Sequence, residues 1–316
     1  MNKTAFVFPG QGSQYVGMGK DWTERYGKSK AIFETADKKL GISLSGICFN
    51  GPEEQLVLTI NTQPAILTTS IAVLEVLKQE GIRCDYVAGH SLGEYSALVA
   101  AGAISFEDAV WLVRKRGTFM QEAVPPGQGT MAALMGIEED TVFELCAKAS
   151  EAGVVEPANY NSPGQIVIAG STAAVVRAVE LAKDFGAKRA IMLSVSGPFH
   201  SSLLKPASNK LAAALAQVNI KRAAIPVMAN VTADIEIEPD QIRQNLISQV
   251  NHAVLWQQSV TKLINLGVTT FVEIGPGKVL SGLIKKIDKN VATLNICDVA
   301  SLQEALSILK GGAHVA

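Results

Sequence analysis

Residues 86–102 read YVAGHSLGEYSALVAAG: an apolar run that suits a strand, then Gly-His-Ser-Leu-Gly, then small residues with helical spacing. Gly-x-Ser-x-Gly between a strand and a helix is the nucleophile elbow, in which the glycines permit a tight turn and the serine hydroxyl is held at the helix N-terminus. Backbone N–H groups at that corner can stabilise a developing oxyanion. With 27 glycines in the chain, the pattern by itself also fits an ordinary helix N-cap at Ser91. The strand before it and the Ala-rich helix after it favour the elbow, so Ser91 is expected to be a nucleophile.

On either side of this corner, short apolar strands alternate with longer amphipathic stretches, the pattern of an α/β fold with a largely parallel sheet. Strands are predicted over 4–8 and 86–89, and helices over 68–81, stopped at Gly81, and 106–122. The Pro/Gly-rich VPPGQGT at 124–130 marks a boundary. Beyond it the pattern gives a strand at 131–136, a helix at 139–152, strands at 154–159 and 165–169, a helix at 173–185 and a strand at 188–193. That order, βαββαβ, is ferredoxin-like. IPVMANVTA and TTFVEIGPGKVLSGL then supply further strands of the large sheet. The expected organisation is a catalytic unit over 1–126 and 196–316 with a small domain inserted at 127–195.

The whole chain narrows the function. At 316 residues and 48% hydrophobic it can bury a large core, and its 28 Lys+Arg against 29 Asp+Glu leave a net charge of -1. No global basic field favours nucleic acid or an anionic membrane. Cys48, Cys84, Cys146 and Cys297 are widely spaced, which suits reduced thiols in the cytoplasm and gives no zinc pattern. MNKTAFVFPGQG has no signal-peptide character, and no apolar run is expected to span a membrane.

A serine hydroxyl needs a base within hydrogen-bond reach. The four histidines are His90, His200, His252 and His314. His314 lies in the terminal GGAHVA, and His90 sits inside the turn with its side chain directed away from Ser91. His200, in LSVSGPFHSSLLKP, and His252, in SQVNHAVLW, both remain candidates. On a wheel of about 100° per residue for the helix around 106–122, Ala109, Val113, Met120 and Ala123 form one face with Arg116 at its centre. Arg114, Lys115 and Thr118 fall on the solvated side. An inward arginine needs an anion, either a structural carboxylate or the carboxylate of a substrate.

The segments FPGQGSQYVGMG, TQPAIL, GHSLGEYSALVAAG, VRKRGTFMQEA, ANYNSPGQIVIAG, SGPFHS and EIGPGKVLSGL, in this order over essentially the whole chain, resemble the malonyl-CoA:acyl-carrier-protein transacylases of bacterial fatty-acid synthesis. The resemblance implies an α/β-hydrolase-like large domain with an inserted ferredoxin-like domain, and a Ser-His dyad that maps to Ser91 and His200. It implies that the histidine is oriented by the main-chain carbonyl of Gln249, and that the oxyanion hole is made by the backbone N–H groups of Leu92 and Gln11. A rival reading of the Gln11 loop as a dinucleotide fingerprint fails, because Tyr15 stands where the third glycine of G-x-G-x-x-G belongs.

By the same resemblance Arg116 holds the free carboxylate of the malonyl group, and Phe199 fills the space beside the acyl α-carbon, favouring malonyl over methylmalonyl. The implied partners are malonyl-CoA, as substrate rather than cofactor, and an acyl carrier protein; no metal or cofactor is expected, and the chain is expected to be a monomer. The basic pairs Lys188 with Arg189 and Lys285 with Lys286 are candidate contacts for an acidic carrier. Three other readings share parts of this pattern: a polyketide-pathway acyltransferase, a serine thioesterase or hydrolase, and a noncatalytic carrier-docking or nucleotide-binding protein.

Overall fold

The structure, a computed structural model, describes residues 2–311, so His314 lies outside the described residues. Its strands are β1 (Lys3–Phe8), β2 (Tyr86–Gly89), β3 (Gly129–Met135), β4 (Val155–Ser162), β5 (Gln165–Ser171), β6 (Arg189–Met192), β7 (Val227–Met228), β8 (Ile235–Glu236), β9 (Val268–Ile274) and β10 (Ala292–Ile296). They form a 6-stranded sheet in the order β10-β9-β1-β2-β7-β8 and a 4-stranded sheet in the order β4-β5-β3-β6. The large sheet is parallel except for β8, which runs antiparallel to β7. Its central strand β1 is apolar on both faces, with Ala5, Phe6, Val7 and Phe8 all buried, as a strand covered by helices on both sides requires.

The small sheet is antiparallel, and its βαββαβ order and strand arrangement are those of a ferredoxin-like unit. Alternation along β3 explains its place: Ala132 and Leu134 pack on the helices Glu139–Ala149 and Thr172–Leu181, whereas Met131 and Ala133 join the core of the large unit. A second seam closes where the Tyr160 N–H donates to Val254 O and the Val254 N–H donates to Ala158 O, tying β4 to the chain of the large unit. Element bounds differ from the sequence expectation mostly at helix ends. The helix predicted to reach 152 finishes as a 3-10 turn, Ser150–Ala152, and the one predicted over 173–185 is Thr172–Leu181.

Two expectations are corrected by the long helix Thr59–Gln79. It begins at Thr59 rather than at 68, with Pro64 inside it. The turn before the proline is secured by the Asn61 and Thr62 N–H groups, both donating to Leu58 O, so the helix tolerates the N–H that proline lacks. At this length it also holds a stretch apolar enough to cross a membrane, by length and composition, contrary to the expectation that no such run exists. That stretch is 89% buried inside the protein, where it packs within the main core.

The elbow is shaped by backbone crowding. A Cβ on Gly89 would lie 1.9 Å from the carbonyl carbon of Gly93, and a Cβ on Gly93 would lie 2.1 Å from Phe8 O. Strand β2, the helix Gly93–Ala100 and the end of β1 are therefore in direct main-chain contact, and Ser91 makes the turn at a φ of 52°. Gly93→Ala is expected to destabilise the fold by about 1–3 kcal/mol through overpacking, measured as a lower urea midpoint. It should also slow modification of Ser91 by a serine-directed phosphonate by about 10²-fold through misplacement of the hydroxyl. Gly27→Ala, at a helix start with open space around it, should do neither.

Candidate active site

A cavity of about 310 Å³ opens between the two sheets. Its walls come from the loop after β1, the elbow, β3, β4, β5 and the segment that follows β6. Ser91 stands in this cavity with its Oγ 2.7 Å from His200 Nε2, and His200 Nδ1 is 2.8 Å from Gln249 O. A carbonyl oxygen only accepts, so Nδ1 carries the proton of the neutral ring and donates to it. Nε2 is then the free acceptor for the Ser91 hydroxyl. Like Ser91, His200 has a left-handed backbone, with φ of 62°. Burial, and secondarily the Arg116 cation, push the His200 pKa down to about 3, so the ring is neutral at neutral pH and its Nε2 lone pair is free to accept.

Arg116, in the helix Phe106–Ala123, is 1% exposed and reaches the same point. Its Nη1 donates to Gln63 Oε1 at 2.9 Å, and its Nη2 donates to Gln249 Oε1 at 2.9 Å and to Ser91 Oγ at 3.1 Å. All of these partners are neutral, and Nε has no partner among the described residues. A nearby aromatic face, that of Tyr95, lies 5.7 Å from the guanidinium carbon. A buried cation whose contacts are all uncharged is a ready receptor for an anionic group.

Neutral amides brace the serine from behind. Asn230 Oδ1 accepts the Ser91 N–H at 2.7 Å, Asn230 Nδ2 donates to Gly89 O at 2.7 Å, and Gln249 Nε2 donates to Ser91 O at 2.8 Å. The backbone N–H groups of Gln11 and Leu92, both lining the cavity, have no acceptor among the described residues. Phe199 is buried beside His200 and also lines the cavity.

Residues 5–304 match the acyl transferase domain family. A malonyl CoA-acyl carrier protein transacylase of Bacillus subtilis (strain 168) is 54% identical over 311 residues, covering 98% of each chain. The enzyme of the same name from Escherichia coli (strain K12) is 46% identical over 309 residues, covering 98% of this chain and all of the relative. Among solved structures, a malonyl CoA-acyl carrier protein transacylase from Clostridium perfringens superposes with a TM-score of 0.95 at 48% identity, covering 98% of each chain. A malonyl-transacylase in complex with a type II PKS acyl-carrier protein superposes with a TM-score of 0.95 at 42% identity, covering 97% of this chain and all of that one. The chain belongs to the acyl transferase family.

In this acyltransferase the structure brings Ser91, His200, Gln249, Arg116, Gln11, Leu92 and Phe199 to one cavity or its immediate wall. The rival His252 turns its Nδ1 to Ser248 O at its own helix end, and His90, which also lines the cavity, turns its Nε2 to Asn161 Oδ1 rather than to Ser91. Arg114, expected on the solvated side, is half-buried and donates to Asn61 Oδ1 at 3.1 Å. Lys286 donates to Gln165 Oε1 and Lys285 to Val291 O, and both remain exposed. The free thiols are unactivated, since burial pushes Cys84 and Cys146 up to about 12 and Cys48 higher still.

Sequence reading missed Gln63, Glu94 and Asn230. Glu94 carried a signal, a carboxylate within an otherwise apolar, small-residue helix; Gln63 and Asn230 carried none beyond polarity beside buried segments. With the His200 pKa held near 3, modification of Ser91 by a neutral fluorophosphonate is expected to keep its rate as pH falls from about 8 to about 5, where an ordinary histidine titrates near 6.5. A rate that declines through pH 6.5 would show His200 to be free of these constraints.

Proposed function

We propose that this acyltransferase moves a malonyl group from malonyl-CoA to the phosphopantetheine thiol of an acyl carrier protein, supplying extender units for fatty-acid synthesis. The reaction runs as two half-reactions through a malonyl ester on Ser91. In the first, Ser91 Oγ attacks the thioester carbonyl while its proton passes to His200 Nε2; the C–S bond breaks, and coenzyme A leaves with that proton. In the second, the carrier thiol gives its proton to His200 and attacks the ester carbonyl, and Ser91 departs with the proton. The tetrahedral oxyanion of each step is received by the Gln11 and Leu92 N–H groups. The Gln249 carbonyl keeps the ring in the tautomer that both steps need. Phe199 borders the acyl α-carbon.

The observation that carries this reading is Arg116: a buried guanidinium with uncharged contacts, 3.1 Å from the Ser91 hydroxyl. A neutral acyl group would leave that charge uncompensated, whereas the malonyl carboxylate pairs with it. The relatives' names and the carrier-protein complex of a similar transacylase support the two substrates. Residues 1–126 and 196–316 are read as the catalytic unit and 127–195 as its insert, in keeping with the division of strands between the two sheets. Four unpaired cysteines suit a reducing cytoplasm. A single chain supplies every group in the scheme, and no step calls on a metal or cofactor.

Mass measurement after mixing with malonyl-CoA alone should show one malonyl group on Ser91 and little further turnover; continuous release of coenzyme A would instead make the protein a thioesterase. Ser91→Ala should not load. Arg116→Ala should lower malonyl loading by about one to two decades, the loss of a charge-assisted contact worth about 1.5–3 kcal/mol, with acetyl loading sustained. Parallel loss of both with a lowered Tm would assign Arg116 to structure.

A further inference from the structure

Glu94 lies beneath the site on the first turn of the helix after Ser91, fully buried, and no step above uses it. Its Oε2 accepts the Asn230 N–H at 2.9 Å and Gln249 Nε2 at 2.9 Å, while its Oε1 has no partner among the described residues. An ionised carboxylate can only accept, so the Gln249 side chain must turn its NH₂ toward Glu94 and toward Ser91 O. The amide oxygen is thereby forced to the opposite side, where Arg116 Nη2 donates to it at 2.9 Å. The flipped amide would set its NH₂ against the guanidinium, donor against donor. The other amide on Arg116 is less constrained, since Gln63 Nε2 has only Met120 Sδ, 3.6 Å away, as its acceptor.

We propose that Glu94 is a positioning residue for acyl selection: by fixing the orientation of the Gln249 amide, it aims the Arg116 guanidinium into the cavity and so sets the preference for an acyl group that bears a carboxylate. This rests on the reading of Arg116 as the acyl-carboxylate receptor.

The charged and titratable groups around Glu94 are consistent with that role. Arg116 acts on it from the helix Phe106–Ala123, Tyr95 is its neighbour in sequence, and Glu236 faces it from β8. Glu236 is itself buried and accepts from Asn245 Nδ2 at 2.7 Å, one turn before Gln249 on the helix Pro239–Gln249. Burial raises the pKa of both carboxyls above the ordinary glutamate range, and Glu94 adds to the rise at Glu236. A proton on Glu94 must reside on Oε1, because Oε2 already accepts two hydrogen bonds. Both bonds to Oε2 therefore survive protonation, and glutamine at this position, which keeps one carbonyl oxygen, preserves them.

The test is the ratio of kcat/KM for Ser91 loading from malonyl-CoA and from acetyl-CoA, measured on Glu94→Leu, Glu94→Gln, Gln249→Leu and the double Glu94→Leu/Gln249→Leu variant, with circular dichroism as the fold check. Glu94→Leu is expected to lower the malonyl-to-acetyl ratio by roughly tenfold, the scale of one misdirected hydrogen bond to a charged group. Glu94→Gln should recover most of it. Gln249→Leu should lower the ratio to a similar extent, and adding Glu94→Leu to it should change the ratio no further, because the two side chains act through one contact.

Equal loss of malonyl and acetyl loading in Glu94→Leu, or an additional drop in the double variant, overturns the proposal. Should Glu94→Leu fail to fold, the other two single variants decide. The proposal fails if Gln249→Leu leaves the ratio unchanged or if Glu94→Gln loses it as fully as Gln249→Leu does. Arg116→Ala in the same assay separates the two readings. An unchanged ratio there removes the carboxylate receptor itself, whereas a collapsed ratio beside a normal one in Glu94→Leu removes only the part assigned to Glu94.

Discussion

Main-chain crowding at the elbow is the constraint on which the site depends. With Gly89 against Gly93 and Gly93 against Phe8 O, the chain has one way to pass from β2 into its helix, and that way puts Ser91 in the left-handed region. A non-glycine residue held there costs about 1–3 kcal/mol, which persists only where the surroundings over-determine it. Here they do: Asn230 receives the Ser91 N–H, and Gln249 donates to the Ser91 carbonyl, so both peptide groups flanking the nucleophile are fixed. The same Gln249, through its own carbonyl, fixes the histidine. One helix end thus registers nucleophile and base against each other.

The polar interior of the site is built on amides rather than on ion pairs. Arg116, Glu94 and Glu236 are all buried, yet their contacts are with Gln63, Gln249, Asn230 and Asn245. An amide offers a donor on one side and an acceptor on the other, so it can satisfy a cation and a carboxylate without cancelling either charge. Arg116 and Glu94 still act on each other across this layer, and the cation also lowers the pKa of His200. Direct pairing of Arg116 with Glu94 would have been simpler to build and would have left nothing to attract an anion.

Much of this was legible because its causes are local. Alternating apolar runs gave the two sheet types, Gly-x-Ser-x-Gly gave the corner, and the helical wheel placed Arg116 inward; the resemblance to known transacylases added the choice of His200 over His252. The failures have physical reasons as well. Pro64 obscured the first turns of the helix Thr59–Gln79, since a proline inside a helix is tolerated only when its neighbours secure the turn before it. Strand β8 has too few residues to show any period, and it exists only because β7 is there to pair with. Glu94, Gln63 and Asn230 act through partners far away in sequence, so no spacing rule could associate them.

The way β3 divides its side chains has a mechanical corollary. Its inward residue Met131 and Val167 of β5 line the cavity from a sheet whose own helices pack on its other side, while the nucleophile, the base and their braces belong to the large unit. Met131 and Val167 nevertheless join the core of the large unit, and Asn161 of β4 meets His90 of the elbow, so the ceiling of the chamber and the floor where bonds are made move as one packed body. A change of bulk in the ceiling is thereby transmitted to the strained corner through shared packing.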